Sequence, residues 1–419
     1  MTPAIRSSAA AGATRVVNSL ARGLGLGAGT VAGGRVGLRL DPRLLQHLGT
    51  GRRTALVTGT NGKTTTTRLL VAALEPASGG PGSVATNATG SNMPAGHVAA
   101  LAAGRPDAPA VLEVDEGYLA EALVALEPEV VVLLNLSRDQ LDRTSEVRML
   151  SGRWRSALAA AGGTCVVANA DDPLVAWAAG EATRVVWVAA GLRWRSDAVG
   201  CPACEGRIIF GPEPGDGWWC RCGFSRPEVE VSVVHDGGTG TWAAWSDGRR
   251  LRVELAIPGP FNAANAVMAA VAAGAMGIDA GAALAAMGEL ESVGGRFSVK
   301  VVDGVPTRLL LAKNPAGWQE LLDMVGDETR PVVVAINARV ADGRDPSWLW
   351  DVNFERLRGR HVVAAGDRCR DVAVRLRYAE VPHLTVRDPA AAIAAAGQGG
   401  GEVDFIGNYT AFADLLERR

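Results

Sequence analysis

The sequence predicts an α/β fold built on parallel sheet, and three observations lead there. From residue 54 onward, apolar runs rich in β-branched residues alternate with alanine-rich helical patterns. One strand-to-helix joint, LVTGTNGKTTTTRLL at 56–70, carries two glycines and a lysine at its turn. Cys201, Cys204, Cys220 and Cys222 cluster in an interval of short alternating segments that breaks the α/β rhythm. Near-continuous apolar strands need cover on both faces, which intervening helices supply.

The opening, MTPAIRSSAAAGATRVVNSLARGLGLG, is rich in Arg, Ser and Ala and has no acids. It is superficially like a transit peptide but has no compact apolar core or small-residue cleavage site. A short amphipathic helix running into a glycine loop is the expectation. Strands follow at TALVTG (54–59), PAVLEVD (109–115), VVVLLN (130–135), CVVANA (165–170), RPVVVAIN (330–337), RHVVAAG (360–366) and EVDFIGN (402–408). The interval 198–250, with EVEVSVV and TWAAW, reads as antiparallel and inserted. PFNAANAVMAAVAAGAMGI (260–278) has the pattern of a buried helix, and a second α/β unit starts near 300 after GGRFS.

These marks divide the chain into three parts. An N-terminal segment, 1–48, packs on a central P-loop ATPase domain, 49–297, into which a zinc ribbon is inserted at 198–227. A smaller Rossmann-like α/β domain, 298–419, completes the chain. The net charge of −2 gives no general attraction for nucleic acid, and no run of about 18 apolar residues predicts a membrane span.

At the joint, Gly59 and Gly62 permit backbone angles closed to other residues, so several N–H groups can converge on one anion. The helix that follows adds its positive end. Lys63, one of only three lysines with Lys300 and Lys313, is placed to reach the β- and γ-phosphates of ATP, and Thr64 or Thr65 to ligate Mg²⁺. The loop G-T-N-G-K-T-T is two residues shorter between its glycines than the usual phosphate loop. Gly59, Thr60, Asn61, Gly62, Lys63, Thr64 and Thr65 are therefore the expected nucleotide cradle. Glu113, Asp115 and Glu116 end a strand where open α/β sheets bind ligands, and carboxylates suit Mg²⁺. Asp115 and Glu116 are equally plausible as caps of the next helix. Asn135, Asp139, Gln140 and Asp142 end another strand and suit nucleotide or metal contacts.

CPACEGRIIFGPEPGDGWWCRCGF (201–224) offers two close cysteine pairs separated by a hairpin-length insert, which suits a tetrahedral structural Zn²⁺. The second pair is C-x-C rather than the commoner C-x₂-C, and His235 is a substitute ligand. As a DNA-binding module the ribbon gains nothing from a chain without a basic stripe. Such clustering fits a reducing cytoplasm better than a disulfide framework.

With these stretches in order, the chain resembles the Mur ligase family of ATP-dependent amide-bond formers. VVANADDP (166–173), PGPFNAANAVMAA (258–270) and GGRFS (294–298) extend the match. LLLAKNPAGWQE (309–320), INARVADGRDPSWLWDVNFE (336–355), GDRCRDVAVRLRYA (366–379) and GNYTAF (407–412) resemble its MurT-type branch. The resemblance implies amidation of the D-glutamate α-carboxylate in the lipid II stem peptide, through an acyl phosphate, at the cytoplasmic face of the plasma membrane. It implies Thr64 and Glu113 as Mg²⁺ ligands, with catalytic roles for Lys63 and Glu113, and Asn135, Asn265 and Arg296 as nucleotide contacts. An amino-acid-adding Mur or folylpolyglutamate-type ligase, or a P-loop ATPase with a regulatory ribbon, are the competing readings.

Two departures bear on the expectation. Most family members have His where Gln140 stands and a carbamylated Lys soon after, yet no lysine lies between Lys63 and Lys300. About 50 residues precede the phosphate loop, too few for the substrate-carrying N-terminal domain of the peptidoglycan ligases. Cys165 sits in an apolar strand, Cys369 has no nucleophile-elbow context, and the five histidines form no motif with either. Ammonia must then come from a second chain, which the resemblance identifies as a GatD-type glutaminase in a heterodimer. To that enzyme's Cys–His pair this chain is expected to add an aspartate from Asp342, Asp345 or Asp351. Asp351 is favoured because Trp348 and Trp350 precede it, as on a partner surface.

Overall fold

The computed structural model describes residues 3–24, 30–87, 90–138, 147–212, 216–237, 240–290, 297–326 and 329–418. The chain forms two compact units. The first comprises 1–136, 146–256 and 261–290, and the second 137–145, 257–260 and 291–419.

In the first unit the strands are β1 (Thr54–Thr58), β2 (Ala85–Thr86), β3 (Ala110–Glu113), β4 (Val130–Leu133), β5 (Cys165–Asn169) and β6 (Arg184–Ala189). A small pair follows, β7 (Ile208–Phe210) and β8 (Trp218–Cys220), then β9 (Val231–Asp236), β10 (Gly240–Trp245) and β11 (Arg250–Arg252). The main sheet runs β11-β10-β9-β6-β5-β4-β1-β3-β2. β1, β3, β4 and β5 are buried along their whole length, as expected of parallel strands covered on both faces. Register brings Val57 level with both Glu113 and Val132. The carboxyl ends of β1, β3 and β4 therefore lie side by side, and the loops that leave them share one rim.

The expectation of an antiparallel, inserted interval over 198–250 holds for the pairing, since β7–β8, β9–β10 and β10–β11 are all antiparallel, and needs correction for the insertion. Only β7 and β8 stand apart, pairing Ile208 with Cys220. β9–β11 extend the main sheet, because β9 joins β6 in parallel through Val188 and Val231. Most positions of β9 and β10 are partly buried, as suits a half-covered sheet edge. The ribbon is anchored by Trp218, whose indole N–H donates to the Ala170 carbonyl at 3.0 Å, and by the Arg226–Asp171 ion pair.

The N-terminal stretch forms the expected helix, Pro3–Gly23, and two helices not foreseen, Thr30–Leu40 and Leu44–Gly49. Among the described residues, no helix is long and apolar enough to cross a membrane.

The second unit holds β12 (Phe297–Val302), β13 (Val305–Leu311), β14 (Val332–Ala335), β15 (Val362–Ala365), β16 (His383–Thr385) and β17 (Val403–Gly407), ordered β12-β13-β17-β14-β15-β16. All neighbours are parallel except the β12–β13 hairpin. Its core gathers Leu309, Val333, Val363, Phe405, Ile393 and Phe412. Asp404 is fully buried and paired with Arg308 at 2.6 Å. Because β17 lies beside β14, Asn337 and Asn408 follow adjacent strand ends, where the Asn408 side chain brackets the Asn337 backbone, its Oδ1 accepting from Asn337 N at 3.0 Å and its amide donating to the Asn337 carbonyl at 2.6 Å.

Candidate active site and metal centre

β1 ends at Thr58, and the chain turns through Gly59 to Gly62 into the helix Lys63–Ser78. Gly59 has φ 139° and Gly62 φ 87°. A Cβ at Gly59 would lie 2.8 Å from Leu134 Cβ, and one at Gly62 would lie 2.7 Å from Asn265 Oδ1. Both glycines are thus required twice over, by conformation and by close approach. No side chain caps the helix, so its positive end opens on the turn.

The expected residues converge. Thr64 Oγ1 donates to Glu113 Oε2 at 2.8 Å, and both residues are buried. Lys63 is buried too, its ammonium donating to the carbonyls of Gly59 (2.6 Å) and Thr60 (3.1 Å) and to Glu116 Oε2 at 3.2 Å. Asn265 stands against Gly62 from the helix Pro260–Ala275. Asn135 grips the turn itself: its Oδ1 accepts from Asn61 N at 2.9 Å, and its amide donates to the Asn61 carbonyl at 3.1 Å. Of the acids that had two roles open, Asp115 caps the next turn by accepting from Gly117 N, and Glu116 pairs with Lys63. Asp139, Gln140, Asp142 and Arg296 lie outside the described residues.

Several supporting residues were not anticipated. Asn87 brackets Glu113, its Oδ1 accepting from the Glu113 N–H and its amide donating to the Glu113 carbonyl, both at 2.8 Å. His97 Nε2–H donates to that same carbonyl at 2.9 Å, and burial holds the imidazole in its neutral form. Trp154 Nε1 fixes the Glu116 carbonyl at 2.8 Å. Asp172 accepts from Leu136 N and from two N–H groups of the helix it caps, while full burial pushes its carboxyl up to about 6. Only Asp172 left a trace in the sequence, as the Asp before Pro that opens a helix.

The four cysteines meet as their spacing predicts. Their Sγ atoms lie within 4.8 Å of one another, with Cys201–Cys222 at 3.8 Å and Cys204–Cys220 at 3.5 Å. Four thiolates about 2.3 Å from one Zn²⁺ in a tetrahedron stand roughly 3.8 Å apart, so the donor set fits that ion. Each pair sits on a tight turn, closed by Cys201 N to Gly206 O and by Cys220 N to Phe224 O, both 2.7 Å. Burial pushes the Cys201 thiol up to about 12, whereas the Phe224 N–H brings Cys222 down to about 7. His235 is not among the clustered ligands; its Nδ1 bonds Thr241 Oγ1 at 3.0 Å. A strong chelator is expected to lower the unfolding temperature by several degrees, and Cys204→Ser to do the same, because metal binding free energy is folding free energy. Differential scanning calorimetry with and without added Zn²⁺ checks this; an unchanged transition would leave the cluster as packing alone.

In the second unit the three candidate aspartates part company. Asp342 is buried and spends both carboxylate oxygens at home, on Thr410 N (2.9 Å) and on Thr410 Oγ1 (2.5 Å). Asp345 accepts from Ser347 N at 2.9 Å. Asp351 follows the short helix Ser347–Trp350, and its carboxylate is 40% exposed, 3.5 Å from Arg138. The picture of two exposed tryptophans is corrected. Trp348 is buried against Trp318, ring centroids 5.9 Å apart, whereas Trp350 is 54% exposed and meets Tyr378 edge-on at 5.2 Å. With about three residues per turn, side chains two positions apart point to different sides, so Trp348 and Leu349 enter the core while Trp350 faces out.

The family model for the Mur ligase middle domain matches residues 57–192, and that for the MurT ligase C-terminal region matches 311–412. The lipid II isoglutaminyl synthase (glutamine-hydrolyzing) subunit MurT of Staphylococcus aureus strain COL is 28% identical over 416 residues, covering 93% of this chain and 92% of its own. The same subunit from Streptococcus pneumoniae is 28% identical, covering 85% and 84%. Among solved structures, a pseudomurein peptide ligase type C from Methanothermus fervidus has a TM-score of 0.67 at 20% identity, over 90% of this chain and 80% of its own. MurF from Acinetobacter baumannii gives 0.64 at 16%, over 92% and 81%.

Proposed function

The chain belongs to the MurT branch of the Mur ligase family, and from that premise we propose that it is the ligase subunit of a glutamine-dependent amidotransferase acting on lipid II. The reaction is amidation of the α-carboxylate of D-glutamate in the stem peptide, giving D-isoglutamine. What carries this assignment is the meeting of Lys63, Thr64 and Glu113 at an uncapped helix end in a chain whose C-terminal region is of the MurT type.

The chemistry divides into two displacements. A substrate carboxylate oxygen attacks the γ-phosphorus of ATP, forming an acyl phosphate and releasing ADP. Ammonia then attacks the acyl carbon, loses a proton, and expels orthophosphate that keeps the original carboxylate oxygen. Phosphoryl transfer demands positioning and charge neutralisation more than covalent help from the protein. Lys63 and the helix end supply positive charge toward the phosphates. Thr64 and Glu113 would hold Mg²⁺, which neutralises phosphate charge when bound. Asn87 and His97 keep Glu113 in place by binding its backbone on both sides.

Ammonia comes from a GatD-type glutaminase. Cys165 and Cys369 are buried in the cores of their units, and the other cysteines are gathered in the ribbon, so no described cysteine is placed as a glutaminase nucleophile. Trp350, Val374 and Tyr378, all half exposed or more, give an apolar patch beside Asp351 suited to the partner.

The decisive test traces oxygen. With ¹⁸O in the D-glutamate α-carboxylate, amide formation should deliver one label to orthophosphate. Amide formed with unlabelled orthophosphate would overturn the acyl phosphate. Incorporation of an amino acid, without any partner, would place the chain with the amino-acid-adding ligases instead.

A further inference from the structure

The helix Pro3–Gly23 has two apolar faces, and only one is used. Its inner face is made of small or hydrogen-bonded residues: Ala10, Ala11, Thr14 and Asn18 are buried, and Asn18 Oδ1 accepts from Gly33 N at 3.0 Å. Advancing 100° per residue, the opposite side carries Ile5, Ala9, Gly12, Val16 and Leu20. Ile5, Val16 and Leu20 are 57%, 58% and 60% exposed, and Leu24 beyond them 72%. This outer stripe is the reverse of the usual amphipathic plan, in which polar residues face water.

Arginines flank the stripe on both sides, Arg6 on one edge and Arg15 and Arg22 on the other. Arg35 and Arg39 add two exposed cations on the neighbouring helix Thr30–Leu40. The first 40 residues contain five arginines, no lysine and no acid. The first carboxylate, Asp41, is buried and engaged by Ser7 and His47, so it does not cancel the charge at the surface. Backbone carbonyls steady two of these guanidiniums, with Arg6 Nε donating to that of Leu40 at 2.6 Å and Arg15 Nε to that of Ala102 at 2.7 Å.

We propose that this face is a peripheral membrane dock, lying in the headgroup layer of an anionic bilayer with Ile5, Val16, Leu20 and Leu24 in the acyl boundary and the arginines on lipid phosphates. An apolar stripe edged by arginines is the composition of an interfacial helix, and cations near an anionic leaflet each strengthen binding several-fold at physiological salt. Charge complementarity selects a lipid surface over a second copy of the chain, since two such faces brought together would repel. The dock stands on these residues alone and does not depend on the amidation proposed above, although it would bring that site to a membrane-borne substrate.

The experiment is flotation of the full chain with vesicles of phosphatidylcholine alone or with about 30% phosphatidylglycerol. Binding is expected to the anionic vesicles, to weaken at least tenfold between about 0.1 M and 0.5 M salt, and to be weak on phosphatidylcholine alone. Val16→Glu with Leu20→Glu should reduce binding by about 100-fold or more, and Arg22→Glu by several-fold, with the thermal transition unchanged because these side chains face outward. Equal binding by wild type and the double variant, or indifference to phosphatidylglycerol, would overturn the dock. So would a concentration-dependent dimer abolished by Leu20→Glu. Amidation of a water-soluble stem peptide, measured in parallel, should be the same in wild type and double variant, which separates failure of the dock from failure of the ligase.

Discussion

Lys63→Ala is expected to abolish amide formation, by about a thousandfold or more, with ammonium and with glutamine alike. The lysine is buried and donates to two carbonyls of its own turn and to Glu116, so its head is held beside the helix end rather than left to search. On the proposed reading, a point charge held at the phosphates acts on charge that redistributes during transfer. The substitution also breaks the ion pair between Lys63 and the largely buried Glu116, at about 1–3 kcal/mol of stability. Glu116→Gln in the same background removes the carboxylate charge that the lysine faced. Initial rates in Lys63→Ala and in Lys63→Ala with Glu116→Gln should be equally low, although the second variant unfolds at higher temperature. Recovery of even a tenth of the wild-type rate in the double variant would mean that Lys63 braces the loop and does not serve the reaction. ATP-dependent turnover can be followed by orthophosphate release at saturating substrate.

The interior parallel strands β1, β3, β4, β5, β14, β15 and β17 were legible because burial on both faces leaves an apolar run, whereas β2, β6, β12, β13 and β16 were not named. TALVT, VVVL and VVVA have almost no polar residue to place, and all lie in sheet interiors. The glycine turn between β1 and the helix Lys63–Ser78 was legible for a different reason: its glycines are dictated by local backbone geometry within a few positions. Glu113 was also within reach, since a single acid ends an otherwise apolar strand. Its supports were not. Asn87 and His97 act from 26 and 16 residues away through the Glu113 backbone, and an amide or imidazole used in that way looks like any other polar residue in a loop or helix. β9–β11 were misassigned for a related reason. Alternation reports that one face is covered, and it carries no information about which sheet provides the neighbour. Trp348 and Trp350 illustrate the same limit on a shorter scale. Two tryptophans separated by one residue read as a pair, yet a single 3₁₀ turn sends one into the core and the other to the surface.

Asp351→Asn is expected to lower glutamine-driven amidation by about 10²–10⁴-fold while leaving the ammonium-driven reaction within about twofold of wild type. The magnitude follows from what an aspartate does beside a catalytic imidazole: it selects the tautomer and stabilises the cation formed in the transition state, and an amide does neither. The three candidates differ in what their carboxylates already hold. Both Asp342 oxygens are committed to Thr410 and the Asp345 carboxylate to Ser347 N, so either would have to break an existing bond to serve a partner. Asp351 is 40% exposed with Arg138 at 3.5 Å, and Trp350 and Tyr378 stand alongside as apolar anchors. Asp342→Asn should instead disturb the loop it ties to Thr410 and depress both activities together. The comparison requires the complex with the glutaminase, assayed once with glutamine and once with ammonium at high pH, where free ammonia is abundant. Loss of both activities in Asp351→Asn would reduce the residue to a local packing role. An unaltered glutamine-driven rate would exclude it from the shared triad and pass the role to Asp345, whose single bond to a turn N–H is the cheaper of the remaining two to break.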